Sequence, residues 1–169
     1  MKVAVTGHTS GIGKYIYDYF TALGHEVVGF SRSNGYNIAD ESARNNILDL
    51  AKDFDIFVNN AYVNFDDSQE RMLRQIADKW KNTNKTIINI SSRHTLITDK
   101  YGTTKRNLDI ACAAYMNSSV RLVNLKPGLI DTPRVTHMTG NKMQLSDLGP
   151  ILNFVLNSTF KTHSFCFGL

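Results

Sequence analysis

The chain's 169 residues, 42% hydrophobic and 20% charged, are enough for one domain with a sizeable core and too apolar for a disordered chain. Its net charge of +4 comes from scattered Lys and Arg with no basic stripe, which argues against nucleic acid as a partner; no apolar run approaches a membrane span, and "MKVAVTGHTS" is too brief an apolar stretch for a signal sequence. Cys112 and Cys166 both lie in apolar surroundings and read as buried free thiols, which implies a reducing, cytoplasmic setting.

Short β-rich runs alternate with helical patterns along the whole chain. Strands are expected at 2–6, 26–30, 55–59, 86–90, 120–125 and 163–168, with helices near 11–23, 40–52, 67–82, 100–116 and 145–157. Most of the strands are apolar on both sides, as in a parallel sheet covered on both faces. The order predicts an α/β fold, a doubly wound parallel sheet of the Rossmann type, in a single domain spanning 1–169. The clearest helical stripe is Met72, Leu73, Ile76 and Trp80.

The first strand runs into "TGHTSGIG" (6–13) and then directly into a helix. Gly7, Gly11 and Gly13 allow a tight turn and close backbone approach, and the helix start offers free N–H groups to a pyrophosphate. Strand, glycines and helix in that order read as a nucleotide-binding turn. After the second strand comes only "SRSNGYNI" before the next helix, where a parallel crossover needs about a dozen residues. Asn34-Gly35 is a tight-turn signal, so the sheet edge is expected to be trimmed here, with Tyr36–Ile38 extended beside the second strand or draped over it.

The end of that second strand, in this fold, meets the adenosine ribose. No Asp or Glu occurs from Val27 through Asn37, while Ser31 and Arg32 can hold a 2′-phosphate; this favours NADP(H) over NAD(H). Further on, "YGTTK" puts Tyr101 and Lys105 four residues apart on one helix face. A nearby ammonium lowers a phenol's pKa from about 10 towards the operating range, so the pair is expected to act as a proton donor with its activating cation.

These motifs together resemble the short-chain dehydrogenases/reductases. Beside "TGHTSGIG", the chain has "NNAY" (59–62) where that family has Asn-Asn-Ala-Gly, then "INISS" (88–92), "YGTTK", and "NLKPGLIDTP" (124–133) with its Pro-Gly and a following threonine. The resemblance implies a small carbonyl or alcohol substrate, with Tyr101 donating a proton, Lys105 holding the nicotinamide ribose and Ser92 hydrogen-bonding the substrate oxygen; Ser91 is the alternative serine. It also implies that Thr6, Gly7, Thr9, Ser10, Gly11, Ile12, Gly13, Ser31, Arg32, Asn37, Asn60, Ala61, Lys105, Pro127, Gly128, Ile130 and Thr132 bind the cofactor, Asn37 standing for an adenine-binding aspartate. No metal is implied, and a homodimer through helices 67–82 and 100–116 is expected.

Beyond Tyr62 and Asn37, the pattern departs from the family in three further places. Ser92 precedes Tyr101 by nine residues, fewer than the family shows. The stretch between "NNAY" and "INISS" is too short for the helix that carries the family's assisting asparagine, and Asn82 and Asn84 lie too near a helix end to replace it. The segment after Pro133 is a brief substrate lid, so an open pocket is expected; His94 and His137 read as exposed loop residues without a role. The trimmed second-strand region also resembles the dehydrorhamnose reductases, and a catalytically silent NADP(H)-binding sensor or scaffold is the further alternative.

Overall fold

Apolar strands that need cover on both faces dictate the architecture. A computed structural model describes residues 1–159 and 161–169. Its elements run β1 (Lys2–Thr6), α1 (Gly11–Ala22), β2 (Glu26–Phe30), α2 (Glu41–Ala51), β3 (Ile56–Asn59), α3 (Ser68–Trp80), β4 (Thr86–Ile90), α4 (Lys100–Ala113), β5 (Arg121–Pro127), α5 (Leu148–Asn157) and β6 (Ser164–Phe167). All pairings are parallel, and the strand order is β2-β1-β3-β4-β5-β6. This is the doubly wound Rossmann arrangement.

Alternation along each strand sorts side chains to two cores. Val3, Val5, Ile56, Val58, Ile88, Ile90, Val123 and Leu125 face α1 and α5, where Ile16, Phe20, Leu148, Leu152 and Val155 meet them. Ala4, Phe57, Ile87 and Leu122 face α2, α3 and α4. The stripe on α3 is fully used, since Met72, Leu73, Ile76 and Trp80 are all buried in this second core. Burying Met72, Leu73 and Ile76 contributes about 1.5–3 kcal/mol apiece.

The trimmed edge is real, and the chain drapes rather than adding a strand. A 3-10 turn at Arg32–Asn34 ends on Gly35 in the left-handed region (φ 89°), and the Tyr36 N–H then donates to the Ser31 carbonyl. Tyr36 stacks edge-on against Phe30, and Ile38 is buried in the core beneath α2–α4. β2 is therefore an edge strand.

Some expectations are corrected in detail. The helix expected over 145–157 begins as a separate 3-10 turn, Leu145–Asp147, before α5. The fourth helix stops at Ala113, and the fifth strand runs on to Pro127. Cys112 is buried, but Cys166 is exposed. β6 lies at the sheet edge with Phe165 and Phe167 turned to the core, so the alternating Ser164 and Cys166 face outward. No helix among the described residues is long and apolar enough to cross a membrane.

Candidate active site

The strand order reverses between β1 and β3, and the crevice beyond the carboxyl ends of the strands at such a reversal is where open α/β sheets bind ligands. A cleft of about 410 Å³ lies there, lined by the glycine turn, the end of β2, the Asn60–Val63 segment, Ser91, Tyr101, Lys105 and Thr132–Arg134.

The glycine turn has the geometry its spelling promised. Gly7 and Gly11 take φ of 72° and 54°, a region open to glycine. Gly13 is closer still: a Cβ there would sit 2.1 Å from the Gly7 carbonyl oxygen and 2.4 Å from Asn60 Nδ2. Ser10 precedes α1 with its side chain not capping the helix, so the N–H groups of the first turn remain open to a ligand. Thr6 is buried and works from beneath: its hydroxyl accepts from the N–H groups of Asn60 (2.9 Å) and Ala61 (3.0 Å) and donates to the Val58 carbonyl (3.1 Å). Asn60 Nδ2 donates to the carbonyls of Thr6 and Gly7. These bonds tie the turn to the loop after β3.

At the β2 end of the cleft, the Ser31 hydroxyl is occupied by Ser33 (2.8 Å) and Asn34, whereas Arg32 is exposed and has no ion-pair partner among the described residues. Asn37 lines the cleft and accepts the Ala39 N–H at 3.3 Å.

At the other end stand Tyr101 and Lys105. Asp99 caps α4 by accepting the Gly102 N–H at 2.6 Å, which fixes Tyr101 in the first turn and Lys105 one turn on. Burial holds the Tyr101 phenol above its usual pKa, while hydrogen bonding with the Ser92 side chain and the charge of Arg134 draw it back down. The expected lowering by the ammonium is thus overturned: desolvation wins. Lys105 is 3% exposed, and burial first, then the charge of Arg134, push its pKa down to about 7. Its Nζ donates to Gln69 Oε1 (2.7 Å) and to the Ile90 carbonyl (3.3 Å), and lies 4.7 Å from the Tyr62 ring centroid and 5.6 Å from that of Tyr101.

The two serines at the end of β4 have separate surroundings. Ser91 donates to Asp109 Oδ1 at 2.6 Å, and that carboxylate also takes Asn124 Nδ2 and Lys126. Ser92 adjoins the phenol of Tyr101 and accepts the His94 N–H at 3.1 Å, but of the two serines it is Ser91 that lines the cleft.

Several neighbours were given no role by the sequence reading. His94, read as a loop residue without a role, lies with its ring 5.3 Å from that of Tyr101 and bonds Asp99 Oδ2 at 2.7 Å. Tyr62 packs edge-on to Tyr101 at 5.3 Å, and the Arg134 guanidinium sits 4.8 Å from the Tyr62 ring while bonding Asn64. Asn59, Asn89 and Asn124 occupy one register row across β3, β4 and β5, each amide bonding the next at 2.8 Å. Asparagines inside apolar strands were the available signal for that row.

Pro127, Gly128 and Ile130 do not line the cleft. Gly128 packs on Gly168, and Ile130 is buried beside Met143; together they bend the chain so that Thr132 crosses to the glycine turn, with its Cγ2 3.4 Å from where a Gly11 Cβ would be. Among the described residues no group of three or more His, Cys, Asp or Glu is placed to hold a metal ion.

No family model matches the chain, and no curated protein matches it by sequence. Solved structures do match. A short-chain dehydrogenase from Burkholderia cenocepacia in complex with NADP aligns with a TM-score of 0.82 at 18% identity, over 96% of this chain and 86% of that one. The 3-alpha-hydroxysteroid dehydrogenase of a Pseudomonas species, complexed with NADH, gives 0.80 at 15% identity over 99% and 94%. The 3-ketoacyl-(acyl-carrier-protein) reductase of Brucella melitensis, also complexed with NADH, gives 0.74 at 19% over 99% and 96%. The chain has the fold of the short-chain dehydrogenases/reductases.

Proposed function

We propose that the chain is an NADP(H)-dependent oxidoreductase that interconverts a small carbonyl compound and its alcohol. The observation that carries this reading is the convergence of the Tyr101–Lys105 pair and the glycine turn on one cleft. The residues present fit a dinucleotide. Gly13 lets α1 pack closely on the Gly7 carbonyl, the first turn of α1 is open, and the charged residues lining the cleft are Arg32, Lys105 and Arg134, all basic.

Residues 7–13 and Thr132 would hold the pyrophosphate, Asn37 the adenine, Arg32 a 2′-phosphate and Lys105 the nicotinamide ribose. The bound reduced cofactor supplies the hydride. Tyr101, protonated at neutral pH as an ordinary phenol is and drawn towards ionisation by the Ser92 hydrogen bond and the charge of Arg134, donates its phenolic proton to the carbonyl oxygen. Ser92 donates a hydrogen bond to that same oxygen and stabilises the charge developing on it. Similar solved structures hold NADH in some cases and NADP in others, so the preference for NADP(H) rests on Arg32 and on the lack of an acid at the β2 end.

The test is NADPH consumption over a panel of aldehydes and ketones, with NADPH affinity measured in parallel. Tyr101→Phe is expected to lower turnover on the order of 10²–10⁴-fold with affinity retained. Full activity in that variant contradicts the mechanism. A second reading, a catalytically silent NADP(H) sensor, draws support from Tyr62, whose ring packs on the Lys105 ammonium where the family has glycine. It predicts tight binding, no turnover on any carbonyl compound, and indifference to Tyr101→Phe.

A further inference from the structure

Gln69 lies near the start of α3, 2% exposed and 36 positions before Lys105 in sequence. Its side-chain amide is held in one orientation. Nε2 donates to the Asn59 carbonyl at 3.0 Å and to the Ile90 carbonyl at 2.9 Å, the last carbonyls of β3 and β4. Asn59 Nδ2 returns a bond to the Gln69 backbone carbonyl at 3.0 Å, and donates to Asn89 as well. An amide with both N–H groups committed to carbonyls can present only its oxygen in the remaining direction. That oxygen meets Lys105 Nζ at 2.7 Å.

The ammonium has little else to bond. Its second acceptor is the Ile90 carbonyl at 3.3 Å, which Gln69 already shares, and the Tyr62 and Tyr101 rings lie beside it. A buried ammonium needs acceptors, and a neutral amide supplies one without adding a charge that would oppose ionisation of the neighbouring phenol. We propose that Gln69 is the positioning residue for Lys105: its amide oxygen, oriented by the ends of β3 and β4, holds Nζ in the cleft and sustains its charged form. The proposal rests on the oxidoreductase reading for its consequence in turnover, and on the side-chain geometry alone for its effect on Lys105.

The titratable and charged groups facing Lys105 are Tyr62 from the loop after β3, Arg134 from the segment after β5, and Tyr101, Asp109 and Cys112 from α4. None of them changes in Gln69→Met, which keeps the volume of the side chain and removes the oxygen. The experiment follows the titration of Lys105 by NMR of side-chain-labelled lysine in the ligand-free chain, with Lys105→Met to assign the resonance. Lys105 of the native chain is expected to titrate at about 7. Loss of a hydrogen bond to the charged form moves that titration lower in Gln69→Met.

A purely structural Gln69 gives the opposite sign, because loosened packing rehydrates the ammonium and moves its titration upward. An upward or absent shift overturns the proposal. Should the methionine variant not fold, Gln69→Asn, whose amide oxygen is withdrawn by one methylene, carries the same downward prediction. Turnover on a reducible carbonyl compound is expected to fall about 10²-fold in Gln69→Met, the scale of loss that follows a misplaced group near the chemistry. If no carbonyl compound is reduced at all, the oxidoreductase reading fails while the titration still decides the role of Gln69.

Discussion

Lys105 keeps an ammonium at a depth where charge is costly, and that cost has a pH signature. Its pKa falls from an ordinary 10.5 to about 7 in the folded chain, so between those values the unfolded chain binds the additional proton. Stability from this group is therefore least below about pH 7 and rises as pH increases towards 10. Urea denaturation of the ligand-free chain at pH 7 and pH 9.5 is expected to show a rise that Lys105→Met removes; equal slopes in both proteins would contradict the burial argument. At the opposite end of the cleft, Arg32 is expected to cost about 1.5–3 kcal/mol of NADPH binding when changed to Asp, with NADH affinity spared. Equal losses for both dinucleotides would remove Arg32 from the 2′-phosphate. Tyr101 and Lys105 were legible in the sequence because four residues on a helix is a local spacing. Gln69 was not, since only the closing of the sheet brings α3 to α4. The direction of the Tyr101 shift was misread for the same reason: a letter pair shows the ammonium, but not the desolvation around the ring.

The start of α4 and the start of α1 are the elements on which the site depends. Asp99 accepts the Gly102 N–H and bonds His94, and those contacts hold its carboxyl below the ordinary carboxylate range. His94 comes from a 3-10 turn, Arg93–Leu96, that fills the short interval between Ser92 and Tyr101. Nothing in the letters "RHTL" announces such a turn, whose bonds reach only three residues and leave no apolar period. The strands, by contrast, were readable from their apolar runs, and missed bounds fell at their ends, where a residue either side changes little in packing. Gly13 allows a sharper test of α1. A Cβ there would meet backbone 2.1 Å away, so Gly13→Ala must move the helix off the turn. We expect about 1–3 kcal/mol of lost stability by denaturation and loss of NADPH binding by fluorescence titration. Retained affinity would place the phosphates elsewhere.

Across the whole molecule, the sheet order puts the chemistry at one end of β1, β3 and β4, with α2–α4 covering one face and α1 and α5 the other. That layout was legible because alternating strands and helices admit few arrangements; the draped Tyr36–Ile38 segment was left open between two forms because its three residues are short for either. The apolar run at the end of α4 is divided: Ala111 and Cys112 enter the core, while Ile110 is 64% exposed beside exposed Ala113 and Ala114. We propose a homodimer that covers this outer face, and light scattering on a sizing column is expected to give twice the chain mass; a monomer at every concentration would contradict it. The proposed chemistry requires Tyr101 to donate a proton beside a nucleotide bound in the cleft. The most direct measurement supplies NADPH deuterated at the nicotinamide C4 with a reducible carbonyl compound and weighs the product by mass spectrometry. The native chain is predicted to label the alcohol carbon, and Tyr101→Phe to bind the nucleotide and yield almost no labelled product. Labelled product from that variant at the native rate would contradict the central claim.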